Sequence, residues 1–142
     1  KDLVDAGVAG IVVTPLFCVR AQSRRYQNPA WGGATRAPFV NAAVVVESAL
    51  GPSQVLQGLF AVERVHGRLR TQKNAARTLD LDLLWSTATS SAHPTLPHPR
   101  FLQRAFAVIP AVEAMAAAGL ALPLALQNAA KQHALAPLVA LP

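Results

Sequence analysis

The stretch that decides the fold reads Arg77-Thr78-Leu79-Asp80-Leu81-Asp82-Leu83-Leu84. Leucine and aspartate alternate along it, which is the pattern of a half-buried β-strand. We therefore predict that the leucines point into the core and that Asp80 and Asp82 project side by side from the other face, roughly 7 Å apart between Cα atoms. Two parallel carboxylates suit a hard divalent cation, and Mg²⁺ is usually held by one or two carboxylates plus substrate phosphates.

Arginines surround this stretch. The chain has ten Arg and three Lys, and four of the Arg fall between residues 64 and 77. The planar guanidinium fork matches phosphate oxygens, whereas lysine offers a point charge. An Asp-x-Asp on a strand also arises by chance, but beside these arginines it indicates a metal and polyphosphate site for phosphoryl transfer.

Composition predicts one globular domain. The 142 residues are 52% apolar and 14% charged, and no apolar run reaches the length of a membrane span. Cys18 is the only cysteine, so we predict no internal disulfide, a reducing cytoplasm and a small buried side chain at this position.

The net charge of +6 predicts an anionic partner. The basic residues form no continuous tract, and only eight residues are aromatic. These features favour a compact phosphate ligand over nucleic acid.

The order of predicted elements indicates an α+β fold without regular βαβ alternation. A helix begins at Gly51-Pro52 and ends before Gly67 in the C′ position, because proline is tolerated in the first turn and glycine favours helix ends. The other predicted elements are a strand over 16–27, a loop over 28–38, a strand over 39–48 and a helix over 100–118 that Pro110 breaks or kinks.

Four blocks together resemble the 6-hydroxymethyl-7,8-dihydropterin pyrophosphokinases of folate synthesis. The blocks are Ser23-Arg24-Arg25-Tyr26-Gln27-Asn28-Pro29-Ala30, Phe39-Val40-Asn41-Ala42-Ala43, Glu63-Arg64-Val65-His66-Gly67-Arg68-Leu69-Arg70 with Arg77-Thr78-Leu79-Asp80-Leu81-Asp82, and Leu96-Pro97-His98-Pro99-Arg100 with Arg104-Ala105-Phe106. The resemblance implies a ferredoxin-like α+β fold, with an antiparallel sheet and helices on its faces. It also implies transfer of pyrophosphate from ATP to the pterin hydroxymethyl group with release of AMP.

The resemblance also assigns residues. Asp80 and Asp82 would hold two Mg²⁺ ions, and Arg68, Arg70 and Arg77 would complete the catalytic set by contacting the phosphates. ATP would contact Glu63, Arg70, Arg77, His98 and Arg104. The pterin would contact Asn28, Pro29, Trp31, Phe39, Asn41 and Phe106. From the residues alone, Glu63 fits a solvated acid at a helix edge as well as it fits a site residue. The residues alone favour a turn residue between prolines for His98 and a core residue for Phe106.

Two departures from the family pattern affect these expectations. The family opens with a strand ending in Gly-Ser-Asn, which does not occur before Ser23, so we expect either that residues precede Lys1 or that the strand has been lost. The family's Trp-Gly-Pro is replaced by Asn74-Ala75-Ala76 and its usual Thr by Asn28. We expect weaker substrate binding and loop closure from these changes.

The sequence as a whole predicts a cytoplasmic, monomeric enzyme: one ATP- and Mg²⁺-dependent pterin pyrophosphokinase domain over 1–142, with no membrane or nucleic-acid partner. Two alternatives remain open at this point. One is a degenerate relative that binds nucleotide or pterin without turnover, and the other is a basic ferredoxin-like domain that binds nucleic acid.

Overall fold

The computed structural model describes residues 17–28, 39–67, 79–87 and 91–142. The chain divides into two compact units, Lys1–Cys18 with Glu47–Pro99 and Val19–Val46 with Arg100–Pro142. Within the described ranges there are three α-helices, one short 3₁₀ helix and seven short strands that form three separate sheets. The predicted combination of helices and strands is therefore present, and the predicted single domain stays a prediction.

The first unit is organised by helix α1, Pro52–Val65. Gly51 precedes it as N-cap, Pro52 occupies the first turn, and Gly67 follows it at φ +84°, the left-handed conformation that glycine adopts without strain. This confirms the predicted start and end. Val55, Leu59 and Val62 are buried on one face, and the ring of Phe17 lies against Gly58.

A hairpin follows in the same unit. Strand β5, Ser91–Ala92, pairs antiparallel with β6, Thr95–Leu96, and Leu96 is buried. The predicted strand around the Asp-x-Asp motif is wrong for its described part, because residues 79–87 include no β-strand. The Leu81 N–H donates to a side chain and the Leu84 carbonyl accepts from a loop N–H, so neither group joins a strand ladder.

The second unit carries a three-stranded sheet with β2, Tyr26–Gln27, at its centre. Strand β3, Val40–Asn41, pairs antiparallel on one side of β2, with Tyr26 opposite Asn41. Strand β7, Val139–Ala140, pairs antiparallel on the other side. The carboxyl-terminal tail thus supplies a sheet strand.

Each of the two long predicted strands is divided in two. Strand β1, Cys18–Gln22, ends before β2 begins, and strand β4, Val44–Glu47, begins after β3 ends. Strands β1 and β4 pair with each other. At the break, the Ser23 hydroxyl accepts the Ala43 N–H at 2.9 Å, while the Ser23 N–H donates to the Ala43 carbonyl at 2.8 Å. A side-chain oxygen therefore takes a backbone donor that a continuous ladder would use.

Burial along β1 corrects one further expectation. The strand alternates exposed and half-buried residues, and Cys18 lies on the exposed face with Arg20 and Gln22. The prediction of a buried cysteine was wrong because the period of two places this position toward solvent.

Helices cover the rest of the second unit. The 3₁₀ helix Phe101–Gln103 leads into α2, Ala105–Ala117, and α3, Leu124–Gln132, packs against both. The buried side chains of these helices include Phe101, Val108, Ala111, Ala114, Met115, Leu126 and Ala129. The helix α2 continues through Pro110, so Pro110 does not break it, and the predicted kink stays a prediction. Buried residues in the turns on both sides hold the helix in place although proline removes one backbone donor.

Helix α2 ends in a Schellman motif. Gly119 has φ +75°, its N–H donates to the Ala116 carbonyl, and the Leu120 N–H donates to the Met115 carbonyl, both at 3.0 Å. Glycine is suited to this C′ position because it has no Cβ to strain the left-handed backbone.

A cluster of three side chains joins α2 to the start of β2. The Glu113 carboxylate accepts the Arg24 backbone N–H at 2.8 Å and the Arg24 Nε–H at 3.1 Å, and it also accepts the Tyr26 hydroxyl. The hydrogen bonds from Arg24 hold the pKa of Glu113 at about 2, well below its usual range. The same interaction raises the pKa of Arg24, and burial raises the pKa of Tyr26.

Candidate active site

The expected metal ligands lie on a segment of the first unit that has no regular secondary structure. Asp80 and Asp82 are exposed, and Leu79, Leu81 and Leu83 are half-buried. The alternation of burial predicted from the sequence is therefore present, although no strand ladder supports it. Its consequence is that both carboxylates reach solvent while the leucines anchor the segment.

Glu63 contacts the segment that bears this pair of aspartates. Its side chain is in the last turn of α1 and is only 1% exposed. Its Oε1 accepts the backbone N–H of Leu81 at 3.3 Å. The residue predicted to lie near the nucleotide is thus in contact with the peptide between the two aspartates, and its contact with ATP stays a prediction.

His98 fixes the far end of the same segment. Its backbone N–H donates to the Leu84 carbonyl at 2.8 Å, and the residue is half-buried after the β5–β6 hairpin. The structure therefore brings together, within one unit, the backbone of His98, the carboxylate of Glu63 and the segment that bears Asp80 and Asp82.

The described residues predicted to contact the pterin lie in the second unit: Asn28, Phe39, Asn41 and Phe106. Asn28 follows the central strand β2, and its N–H donates to the Phe39 carbonyl at 2.9 Å. Asn41 stands in β3, opposite Tyr26. Phe39 is 66% exposed, so an apolar aromatic surface adjoins the end of this sheet.

Asn28 has an unusual environment. It is only 8% exposed, and its Oδ1 is the one buried side-chain oxygen or nitrogen without a hydrogen-bond partner among the residues the structure describes. A buried acceptor left unpaired costs roughly 1–3 kcal/mol. An unsatisfied acceptor at this point is therefore a candidate contact for a ligand donor.

Arg104 and Phe106 form a pair at the start of α2, which packs against β3. The Arg104 guanidinium carbon lies 5.6 Å from the centre of the Phe106 ring, a cation–π distance. Phe106 is 36% exposed, so the alternative of a fully buried core residue is wrong.

Several predicted site residues lie outside the described residues: Pro29, Trp31, Arg68, Arg70 and Arg77. Within 17–28, 39–67, 79–87 and 91–142, no group of three or more His, Cys, Asp or Glu side chains is placed to hold a metal ion. In the same ranges no helix is long and apolar enough to cross a membrane.

Sequence reasoning did not identify the Asn28 acceptor as unpaired or Glu63 as a partner of Leu81. The signal for Glu63 was its place at helical spacing beside an apolar face. The described geometry defines, as a class, an α+β protein with two exposed aspartates on a segment that a buried glutamate contacts.

Comparison with known proteins identifies the family. Residues 3–116 match the model of the 7,8-dihydro-6-hydroxymethylpterin-pyrophosphokinase family. The chain is 31% identical to the 2-amino-4-hydroxy-6-hydroxymethyldihydropteridine pyrophosphokinase of Methylorubrum extorquens over 113 residues, covering 78% of this chain and 72% of the relative. The chain belongs to this family.

Two further relatives carry the same name. The Synechocystis protein is 32% identical over 79% of this chain and 58% of its own length, and the Mycobacterium tuberculosis protein is 34% identical over 63% and 54%. The matches therefore span from about half to about three quarters of the relatives' lengths. Membership confirms the resemblance and the α+β fold of these pyrophosphokinases of folate biosynthesis, and it favours neither alternative function.

Proposed function

We propose that this chain transfers the pyrophosphoryl group of ATP to the hydroxymethyl oxygen of 6-hydroxymethyl-7,8-dihydropterin and releases AMP. The hydroxymethyl oxygen forms a bond to the β-phosphorus, the bond from that phosphorus to the oxygen bridging the α-phosphorus breaks, and the hydroxyl proton is released. The observation that carries the proposal is the exposure of Asp80 and Asp82 on a segment anchored by half-buried leucines, within the residues that match the family.

The donors of this segment fit Mg²⁺. Carboxylate oxygens are ligands that Mg²⁺ prefers, and it commonly takes one or two carboxylates while phosphates and water fill the other positions. Asp80 and Asp82 would hold two ions in this proposal. Bound Mg²⁺ supplies positive charge that offsets the charge on the phosphates. Arg68, Arg70 and Arg77 would add guanidinium donors to the phosphate oxygens.

Contacts with the rest of ATP complete the nucleotide part of the proposal. His98 is half-buried and its backbone is fixed by Leu84, which supports a defined position for its ring. Arg104 supplies a cation at the start of α2. Glu63, which contacts the segment that bears the aspartates, is proposed to contact ATP as well.

The pterin part of the proposal is supported by Asn28. Its buried, unpaired Oδ1 can accept a hydrogen bond. The relatives are named for a 2-amino-pteridine substrate, and an amino group of this kind is a hydrogen-bond donor. Asn41 adds a second amide in the neighbouring strand, and the exposed rings of Phe39 and Phe106 offer stacking surfaces. Pro29 and Trp31 join this set from the sequence.

The test is release of AMP from MgATP with and without 6-hydroxymethyl-7,8-dihydropterin. We expect AMP only when the pterin is present. We expect Asp80→Asn and Asp82→Asn each to lower the rate at least about 100-fold, because each replaces a charged metal ligand by a neutral group of the same size. Glu47→Gln, at an exposed carboxylate in β4, is the matched control and should change the rate by less than about twofold.

Two outcomes would contradict the proposal. Calorimetric binding of MgATP and pterin without any AMP would establish a binding protein that does not turn over. Full activity of Asp80→Asn and Asp82→Asn would remove the metal assignment. A cytoplasmic location and a monomeric state belong to the same proposal, and sedimentation of the active protein tests the second.

A further inference from the structure

Glu63 is buried at a position where an acid is costly. It lies in the last turn of α1, where the helix dipole disfavours negative charge, and only 1% of the residue is exposed. Its neighbour Val62 is buried on the same helix. Burying a carboxylate carries a desolvation penalty unless hydrogen bonds offset it, so its partners are informative.

The Glu63 carboxylate contacts the Asp-x-Asp segment. Its Oε1 accepts the Leu81 N–H at 3.3 Å, across 18 positions of sequence. The Leu81 N–H belongs to the peptide that links Asp80 to Leu81. This bond therefore restrains the backbone between Asp80 and Asp82. The restraint matters because residues 79–87 have no strand ladder to fix their orientation.

We infer that Glu63 is a positioning residue for Asp80 and Asp82: its carboxylate holds the Leu81 peptide and so fixes the direction of the cation-binding pair. This inference rests on the proposed function of the two aspartates. Partners that hydrogen-bond metal ligands directly change metal affinity about 10–100-fold when removed, and a restraint on the backbone between two ligands should act in the same direction. The role depends on reach and on an acceptor oxygen at Oε1, and charge alone does not supply it.

Four variants separate these properties. Glu63→Gln keeps the length and an acceptor oxygen, Glu63→Asp keeps the charge but is one methylene too short, and Glu63→Ala removes both. Val62→Ala is the matched control, because it deletes buried volume from the adjacent residue without touching the Leu81 bond. Mn²⁺ affinity in the presence of ATP is measured by electron spin resonance, and exchange of the Leu81 amide hydrogen by NMR.

We expect Glu63→Asp and Glu63→Ala to weaken Mn²⁺ binding about tenfold or more and to speed Leu81 amide exchange. Glu63→Gln should stay within about threefold of wild type in Mn²⁺ affinity, since the hydrogen bond is retained. Val62→Ala should leave both readouts unchanged. Wild-type affinity in Glu63→Asp, or an equal loss in Val62→Ala, would overturn the positioning role.

Asp80→Asn and Asp82→Asn distinguish this inference from the proposed function. If they weaken Mn²⁺ binding while the Glu63 variants do not, the metal site stands and only the positioning role fails. If they leave Mn²⁺ binding unchanged, the metal site itself is refuted and the inference falls with it.

Discussion

Replacing Glu113 by glutamine should remove a contribution to stability that depends on pH. In the folded chain, Glu113 accepts the backbone N–H and the guanidinium of Arg24 and the hydroxyl of Tyr26. The amide of the Glu113→Gln variant would keep an acceptor oxygen for these donors but would lose the negative charge. The substitution therefore isolates the charge from the hydrogen-bonding shape.

The size of the effect follows from the pKa of Glu113. The hydrogen bonds from Arg24 hold it at about 2, against 4.5 for an ordinary glutamate. A difference of this size corresponds to about 3 kcal/mol of folding free energy in the absence of solvent screening. The side chains of Arg24 and Glu113 are 65% and 28% exposed, so screening reduces the expected contribution to about 1 kcal/mol.

The sign of the pH dependence is fixed by the lowered pKa. The unfolded chain binds a proton at Glu113 near pH 4.5, before the folded chain does. The stabilisation is therefore complete above that pH and is lost as the pH falls from there toward 2. We expect the free energy of unfolding of the Glu113→Gln variant to be about 1 kcal/mol lower than that of wild type at about pH 7. The difference should be close to zero near about pH 2.5.

Urea denaturation followed by tryptophan fluorescence at about pH 7 and about pH 2.5 provides the measurement. Tyr26→Phe is a second test, because the hydroxyl also helps to lower the pKa of Glu113. Its loss should lower stability by about 1 kcal/mol at about pH 7 and by less at about pH 2.5. In an Arg24→Gln background, Glu113→Gln should lose its pH dependence. An equal deficit of Glu113→Gln at both pH values would refute the reasoning.

Two further predictions concern glycines. Gly58→Ala should lower the free energy of unfolding by about 1 kcal/mol, because a Cβ at this position would lie 2.6 Å from Cζ of the buried Phe17 ring. Overpacking then outweighs the gain in helix propensity, and urea denaturation measures the difference. If the double variant Phe17→Leu/Gly58→Ala loses as much stability as the two single variants together, the contact is refuted. Gly119→Ala should lower the free energy of unfolding by about 1 kcal/mol through the φ of +75° alone, since no atom lies within 4 Å of the added Cβ. Gly119→Asn should recover part of this loss in thermal unfolding, because asparagine tolerates the left-handed conformation better. If both variants melt at the wild-type temperature, the strain at this position is refuted.

The elements that local sequence chemistry controls were predictable. Helix α1 begins at Pro52 and its C′ residue is Gly67, because both residues favour those positions whatever surrounds them. The alternation of exposed aspartate and half-buried leucine also followed from the sequence. Such features depend on neighbours a few residues apart.

The features that were missed depend on distant partners. The predicted long strands divide because the Ser23 hydroxyl takes the Ala43 N–H, 20 positions away. The segment with Asp80 and Asp82 has the burial pattern of a strand, but its Leu81 N–H bonds to Glu63. A period of two predicts which face is buried, and it does not predict which groups take the backbone hydrogen bonds.

Glu113 illustrates what a sequence can and cannot indicate about such partners. It is the one acid in α2, whose sequence is otherwise apolar: Ala-Phe-Ala-Val-Ile-Pro-Ala-Val-Glu-Ala-Met-Ala-Ala. A lone carboxylate on a packed helix requires a donor, because an unpaired one carries a desolvation cost. That requirement was visible, but the partner Arg24 lies 89 positions earlier, among ten arginines with no local feature to single it out. Glu63 was less informative in the sequence, where it fitted a solvated acid as well as a site residue, and the structure gives it Leu81 as a partner. In both cases only the fold identifies the residue that makes the contact.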